Sequence, residues 1–414
     1  MSGKRKGRGG CGCGLFLLIC VLIIAGGVIW LGVMRGAHLT SALFDHTEEA
    51  AADIPYQEVT IMEESLAGKY YYQRLSDEDK TVYKEIVQGI KEFSEEIYIH
   101  TGDAEHANQI FRYVLYDMPE VFWCDGQAAS TTYKDEYENM YTTIQVNYTY
   151  DREKTEELKG RIQTAVNECL AGMADDSSEY EKIKYVYEYV INTVEYDIEA
   201  PDNQNICSVF IGRRSVCAGY ARATQYLLES VGVFATYVSG TSVNEQNAEA
   251  IDHAWNLVRC DGEYYYVDAT WGDPVFTQQE DTPDLTQEEM INYDYLCCND
   301  EELFKTHTLS ADVTMPACTS DQYNYYAMHG MYYEENNPEV FQESMNRSIS
   351  QKERMVIFKF SSAELYQQAK GETLGDMVES SAQYLMSLYG LSRVSYYYQE
   401  EVQLNKLVIY WSYN

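Results

Sequence analysis

Proline is scarce in this chain, seven in 414 residues, and no low-complexity stretch occurs. Both absences argue against long disordered linkers. Basic residues are also few: 30 Lys and Arg face 66 Asp and Glu, for a formal net charge of −36. Such an acidic surface argues against binding nucleic acid or anionic lipid. It suits a cationic or neutral partner, or serves solubility alone. The sequence has no CxxC or Cys/His zinc pattern, no HExxH and no carboxylate cluster, which argues against a metal hydrolase. It has no EF-hand loop either, so calcium independence is expected, with no metal and no cofactor.

What is present is enough for real cores. Hydrophobic residues make up 45% of a chain long enough for two or three folded units. Tyrosine is abundant at 39 residues. Interfacial packing accounts for that, since the ring buries while the hydroxyl stays polar, and a carbohydrate- or wall-binding surface is the competing reading.

Lys4, Arg5, Lys6 and Arg8 precede an apolar run from Leu15 to Met34. Twenty helical residues span about 30 Å, the thickness of a bilayer core. The basic flank predicts a cytoplasmic N-terminus and an outside location for everything after Arg35. A cleaved signal peptide competes, but its apolar region is normally shorter, about 7–15 residues, and no small-x-small cleavage site stands out. A single-pass signal-anchor over 1–35 is therefore expected, with the remainder extracytoplasmic at the cell membrane. Cys11, Cys13 and Cys20 lie in or beside this run, as acylation sites or simply as small core residues. Residues 1–35 carry five basic side chains and no acidic one, so the remainder has −36 − 5 = −41. Eight cysteines follow the run. If one is a catalytic thiol, seven remain, an odd number that cannot all pair.

Composition divides the rest into a connector over 36–55, a small α+β domain over 56–150, a core over 151–280, an acidic linker region over 281–320 and a C-terminal α/β module over 321–414. In the first domain, "SDEDKTVYKEIVQGIKEFSEEI" has helical periodicity with Ser76 as N-cap. A second helix ends at Pro119, and "NMYTTIQVNYTYD" alternates as a strand. His100 and His106 read as surface residues. In the core, Ile183, Val186, Val190, Ile191 and Val194 form one helical face that delivers the chain to Tyr196.

The chemistry is concentrated in two stretches. In "RRSVCAGYARATQYLLESVGV", a helical pattern begins at Cys217, with Ser215 as the expected N-cap. Unpaired N–H groups and the dipole of a first helical turn favour a thiolate and can hold a developing oxyanion. Gly219 is expected to leave room for substrate. A Cys at a helix start is more often structural, so this stretch alone is weak. In "DHAWNLVRCDGEYYYVDATWGDP", Asp261-Gly262 signals a two-residue hairpin. Its register pairs Cys260 with Glu263, Trp255 with Asp268 and His253 with Thr270. His253 and Asp268 then share a face as diagonal neighbours, with Cα atoms about 7–8 Å apart at most. An Asp that binds one imidazole nitrogen fixes the tautomer and leaves the other nitrogen for a thiol proton. An exposed cross-strand polar pair is the bland alternative, but Trp255 and Trp271 flank the two residues and suggest a cleft.

A Cys opening a helix in "VCAGYA", then "HAWN", then "DATW", resembles the transglutaminase-like superfamily over roughly residues 180–275. The resemblance implies an α+β, papain-like core with a Cys–His–Asp triad in this order: Cys217, His253, Asp268. It also implies acyl transfer through a thioester to water or to an amine. The Cys217 N–H is one implied oxyanion donor, and Tyr196 is the candidate for a second. Arg213 and Arg214 occupy the stretch where the family often has a basic residue, or simply pair with local acids. A small N-terminal domain, this core and a C-terminal module behind an anchor also resemble surface proteins of Gram-positive bacteria. The expected substrates are protein or peptide, cell-wall peptides among them. The alternative is a catalytically silent binding or scaffold protein of the envelope with the same fold.

Overall fold

Side-chain caps and apolar stripes set the helices. Ser76 accepts the Asp79 N–H and starts helix α1 (Asp77–Glu92), whose buried stripe includes Val82, Ile86, Val87 and Ile90. The computed structural model describes residues 48–49, 54–135, 137–244, 247–273 and 290–413. The expected anchor at 15–34, most of the connector and the first part of the expected linker lie outside these residues. Among the described residues, no helix is long and apolar enough to cross a membrane.

The described chain forms two compact units. The first carries α1, the start of helix α2 (Ala104–Asp117), and strands β1 (Glu48–Glu49), β2 (Ile97–Ile99), most of β3 (Cys124–Lys134) and β4 (Met140–Tyr148). Its sheet order is β1-β3-β4-β2. The expected contiguous domain over 56–150 needs correction. Residues 67–73 and 115–125 belong to the second unit. There the Asp117 carboxylate accepts the Tyr71 and Tyr72 N–H groups, and the Tyr71 hydroxyl donates to the Tyr237 carbonyl.

The second unit opens with helix α3 (Arg152–Leu170), capped by Asp151, and α4 (Glu179–Thr193), which begins with a reciprocal capping box between Ser178 and Glu181. Strands β5 (Glu195–Tyr196) and β6 (Arg214–Ser215) then pair, and α5 (Cys217–Ser230) follows directly. Strands β7 (Ala235–Asn244), β8 (Asn247–Cys260) and β9 (Glu263–Val267) form an antiparallel meander. Cys260 pairs with Glu263, as the hairpin signal predicts. Asp261 and Gly262 both have positive φ, 47° and 90°, which a primed two-residue turn requires.

The described part of the region expected as an acidic linker, residues 290–320, is part of the core. Strands β10 (Leu296–Cys298) and β11 (His307–Leu309) complete a five-stranded sheet of order β10-β9-β8-β7-β11. The two added strands occupy opposite edges. In a flat sheet, β11 and β9 would lie about 14 Å apart, three strand spacings. Yet the His307 side chain, on β11, touches that of Asp268, which follows β9, at 3.0 Å. The sheet is therefore curled, and its concave face collects side chains from non-adjacent strands.

A C-terminal sheet of order β12-β13-β15-β14 comprises Tyr332–Tyr333, Met355–Phe360, Lys406–Trp411 and Tyr396–Glu401 respectively. Helices α7 (Pro338–Ser350) and α8 (Leu374–Tyr389) pack over it around Phe341, Met345, Phe358, Phe360 and Leu385 (α6 is the short helix Ala269–Gly272).

Candidate active site

Cys217 is the first residue of α5, and no side chain caps that helix. The N-cap is Val216, which corrects the expectation for Ser215. The Ser215 hydroxyl lies in β6, donating to the Asn203 carbonyl and sharing a 2.6 Å contact with Ser208. An uncapped first turn leaves backbone N–H groups beside the thiol, the arrangement that stabilises thiolate and oxyanion. All eight described cysteines are free, and seven are buried; Cys217 alone is partly exposed.

Small residues hold this helix close to the sheet. Ala218 and Ala221 pack on Tyr237 and Ala254. The buried Asn256 amide donates to the Ala221 carbonyl at 2.9 Å and the Thr236 carbonyl at 3.3 Å, tying α5 to β7. Asn256 belongs to the "HAWN" block, so its position, though not its role, was visible in the sequence. On β8, His253 pairs with Gly240. A Cβ at Gly240 would stand 2.1 Å from the Thr308 carbonyl and 2.5 Å from the Trp255 ring, so glycine there lets β11 and Trp255 close in.

The His253 Nε2 and Asp268 Oδ2 atoms lie 2.6 Å apart, with the two side chains 2% and 1% exposed. The other imidazole nitrogen is thereby left for the thiol, and the Cys217 side chain lies near enough to His253 to bear on its charge. The hairpin register differs from expectation at its end. The ladder stops at Asn256 and Val267, and Asp268 caps α6, accepting the Thr270 and Trp271 N–H groups on Oδ1. Thr270 is helical and does not pair with His253. Asp268 itself is still extended, and the chain turns at the next residue, Ala269, where α6 begins. Burial alone would push the His253 imidazole down. The Asp268 charge and hydrogen bond, then the thiol, outweigh it and raise it to about 10. Burial likewise opposes ionisation of Asp268, but its histidine partners hold the carboxyl well below its usual range.

The remaining expected residues divide by position. Register sets Tyr196 opposite Ser215, two residues before Cys217, with its ring 6.3 Å from that of Tyr220. Gly219 faces no open cleft: a Cβ there would lie 2.0 Å from the Ser215 hydroxyl and 3.0 Å from the Asn203 carbonyl. Its smallness serves packing beneath the helix, which corrects the expected role in admitting substrate. Trp255 and Trp271 are buried, 1% and 9% exposed, and flank His253 with ring centroids at 5.9 and 6.4 Å. They wall the imidazole instead of lining an open groove. Arg214 pairs with Asp197, and Arg213 donates to the Tyr189 hydroxyl.

One residue at the site is absent from the sequence reading. His307 places Nε2 3.0 Å from Asp268 Oδ2, the oxygen that also meets His253. His253, Asp268 and His307 each offer one ligand atom within 4.8 Å of the others, a spacing compatible with a metal ion. At 2.6 and 3.0 Å from a common carboxylate oxygen, the nitrogens sit at hydrogen-bond distance.

Residues 167–269 match the family model described as the transglutaminase-like superfamily. Mouse kyphoscoliosis peptidase is 24% identical over 123 residues, which cover 27% of this chain and 19% of that protein. The chain thus spans less than a fifth of this curated relative. An arylamine N-acetyltransferase from Bacillus cereus, described as having a Cys-His-Glu triad, is 18% identical over 28% of this chain and 51% of that one, with a TM-score of 0.23. The periplasmic domain of TgpA from Pseudomonas aeruginosa is 18% identical over 32% and 54%, with a TM-score of 0.22. At such scores the structural likeness carries no weight for function.

Proposed function

We propose, from the transglutaminase-like core that residues 167–269 match, that this chain is a cysteine-dependent acyltransferase or amide hydrolase working through a thioester on Cys217. One observation carries the reading. A partly exposed thiol at an uncapped helix start neighbours an imidazole whose Nε2 sits 2.6 Å from a buried carboxylate. His253 takes the thiol proton as Cys217 attacks an amide carbonyl. The imidazolium then protonates the leaving amine, and Asp268 stays ionised throughout. The Cys217 N–H and the Tyr196 hydroxyl are the proposed oxyanion donors. Water or an amine then releases the acyl group.

The proposed substrates are protein or peptidoglycan peptides at a cell surface, reached by an ectodomain behind the apolar run at 15–34. The basic flank and acidic remainder support that placement. The test is selective labelling. A thiol-reactive probe should modify Cys217 ahead of every other described cysteine, and His253→Ala should slow that labelling sharply. Equal, slow labelling of all thiols would leave the silent scaffold as the better reading. Incubation with a peptide amide, with and without an amine donor, then separates hydrolysis from transfer.

A further inference from the structure

Asp268 has two carboxylate oxygens and four hydrogen-bond partners. Oδ1 accepts the Thr270 and Trp271 N–H groups at 2.9 and 3.1 Å. Oδ2 meets His253 at 2.6 Å and His307 at 3.0 Å. Its acceptor capacity is therefore filled. The Asp268 carboxyl stays ionised, so Nε2 of His307 is the donor in this contact. Nδ1 of His307 lies 2.8 Å from the Thr306 hydroxyl, whose oxygen is also 3.2 Å from the Tyr295 hydroxyl. The His307 side chain is fully buried, with its ring centroid 5.0 Å from Trp255, 5.1 Å from Trp271 and 5.5 Å from Tyr295. Burial pushes this imidazole down, which favours a neutral ring, and the Asp268 contact puts its proton on Nε2; the Thr306 hydroxyl beside Nδ1 donates to the Leu303 carbonyl at 3.4 Å.

We propose that His307 is a positioning residue of the Cys217 site, a second imidazole that fixes the Asp268 carboxylate and shares its charge. The inference rests on the triad reading above and goes beyond it, since His307 lies past the end of the stretch that the family model matches. Two consequences follow from the geometry. With both oxygens held, the carboxylate cannot turn away from His253 when the imidazolium forms. With Oδ2 shared, Asp268 pulls less strongly on the His253 proton, so the imidazolium releases it more readily to a leaving amine.

The groups facing this cluster leave few other sources of a pH effect. Tyr187, Tyr295 and Cys298 are pushed well above their usual values by burial, and Tyr196 is raised for the same reason. Among the titratable groups that face Asp268, these stay neutral near pH 7, and His307 with them, which leaves the His253 imidazole to set the profile.

The experiment measures alkylation of Cys217 in the full chain by iodoacetate, an anion that favours a neighbouring imidazolium, between pH 5 and 10. Wild type should react faster at Cys217 than His253→Ala does; if it does not, the triad reading itself fails. Given that rate advantage, His307→Leu should slow the reaction about tenfold, the scale of one hydrogen bond to a charged group. It should also move the alkaline limb upward by about one pH unit. His307→Gln, whose amide can still donate, should restore most of both. A His307→Leu profile that superimposes on wild type overturns the inference, as does a Gln variant no better than Leu. Should the Leu variant fail to fold, histidine ring 15N spectra of the wild-type chain decide, with His307→Gln assigning the signal. His307 is expected to be neutral and Nε2-protonated at pH 7 and above. A ring that titrates near 6.5, or carries its proton on Nδ1, overturns the proposal. Loss of wild-type reactivity on adding a chelator would likewise overturn it, by making the three residues a metal site.

Discussion

Asp268 and Asp294 are both buried carboxylates, and each is shared between two basic groups. Asp268 lies between two imidazoles, and Asp294 between two ammonium groups. Lys359 reaches Asp294 at 2.9 Å and Glu302 at 2.6 Å; Lys406 pairs with Asp294 and with Glu401 at 2.8 Å. The Tyr326 hydroxyl donates to Asp294. Burial opposes ionisation in both cases, and the basic partners overcome it, so both carboxyls sit well below their usual range. The difference is in the partners. Both lysines are raised from an already high value, so they stay charged near pH 7, and burial pushes the Glu401 carboxyl up beside them. An imidazole can pass a proton to and from a neighbouring nucleophile, and His253 has a thiol beside it. Burial and ion pairing make a cluster rigid; only a proton that can move, next to a nucleophile, makes it chemical.

Substitutions can break this comparison. The largest effect should come from Asp268→Asn, which removes the charge and misorients the tautomer of His253. Turnover of a peptide amide should fall by about 10³–10⁴. Asp294→Ala should reverse the pattern. It leaves two buried ammonium groups short of a partner and should cost about 3–5 kcal/mol in denaturant unfolding, while Cys217 in the folded fraction keeps its alkylation rate. If Asp294→Ala is as stable as wild type, the second cluster is not the structural counterpart described here.

The pH dependence of stability sharpens the contrast. Asp268 and Asp294 are lowered on folding, so their contribution is present above about pH 4 and lost as pH falls below it. His253 is raised to about 10, so its contribution is complete below about 6.5 and is lost as pH rises towards 10. Urea unfolding of His253→Asn should therefore lose the alkaline slope and keep chiefly the part of the acid slope that Asp294 supplies. The smallest effect is expected at Arg214, half exposed in its pair with Asp197. Arg214→Ala should change stability by less than about 1 kcal/mol.

Local signals were legible. Ser76 and the Asp261-Gly262 turn behave as their residue types dictate, and Cys217 does open a helix. What was not legible depended on distant partners. Asp268 reads as the next strand residue until its carboxylate is seen capping α6. Gly219 reads as space until Ser215 is seen filling it. His307 sits in "THTLS", a strand of three residues, too short for any periodicity to show and surrounded by acidic sequence that reads as linker. Its partner across the ladder is Ser242, 65 residues earlier. No local pattern encodes a contact made by curling a sheet.

That curl has a practical corollary for how such chains are cut. A gene fragment ending where the recognisable blocks end would encode Cys217, His253 and Asp268 and still lack both outer strands. Its sheet would present two raw edges, each a template for self-association. The shared carboxylate would be held from one side only. Every diagnostic residue would be there, and the fragment would be expected to aggregate before it could be assayed.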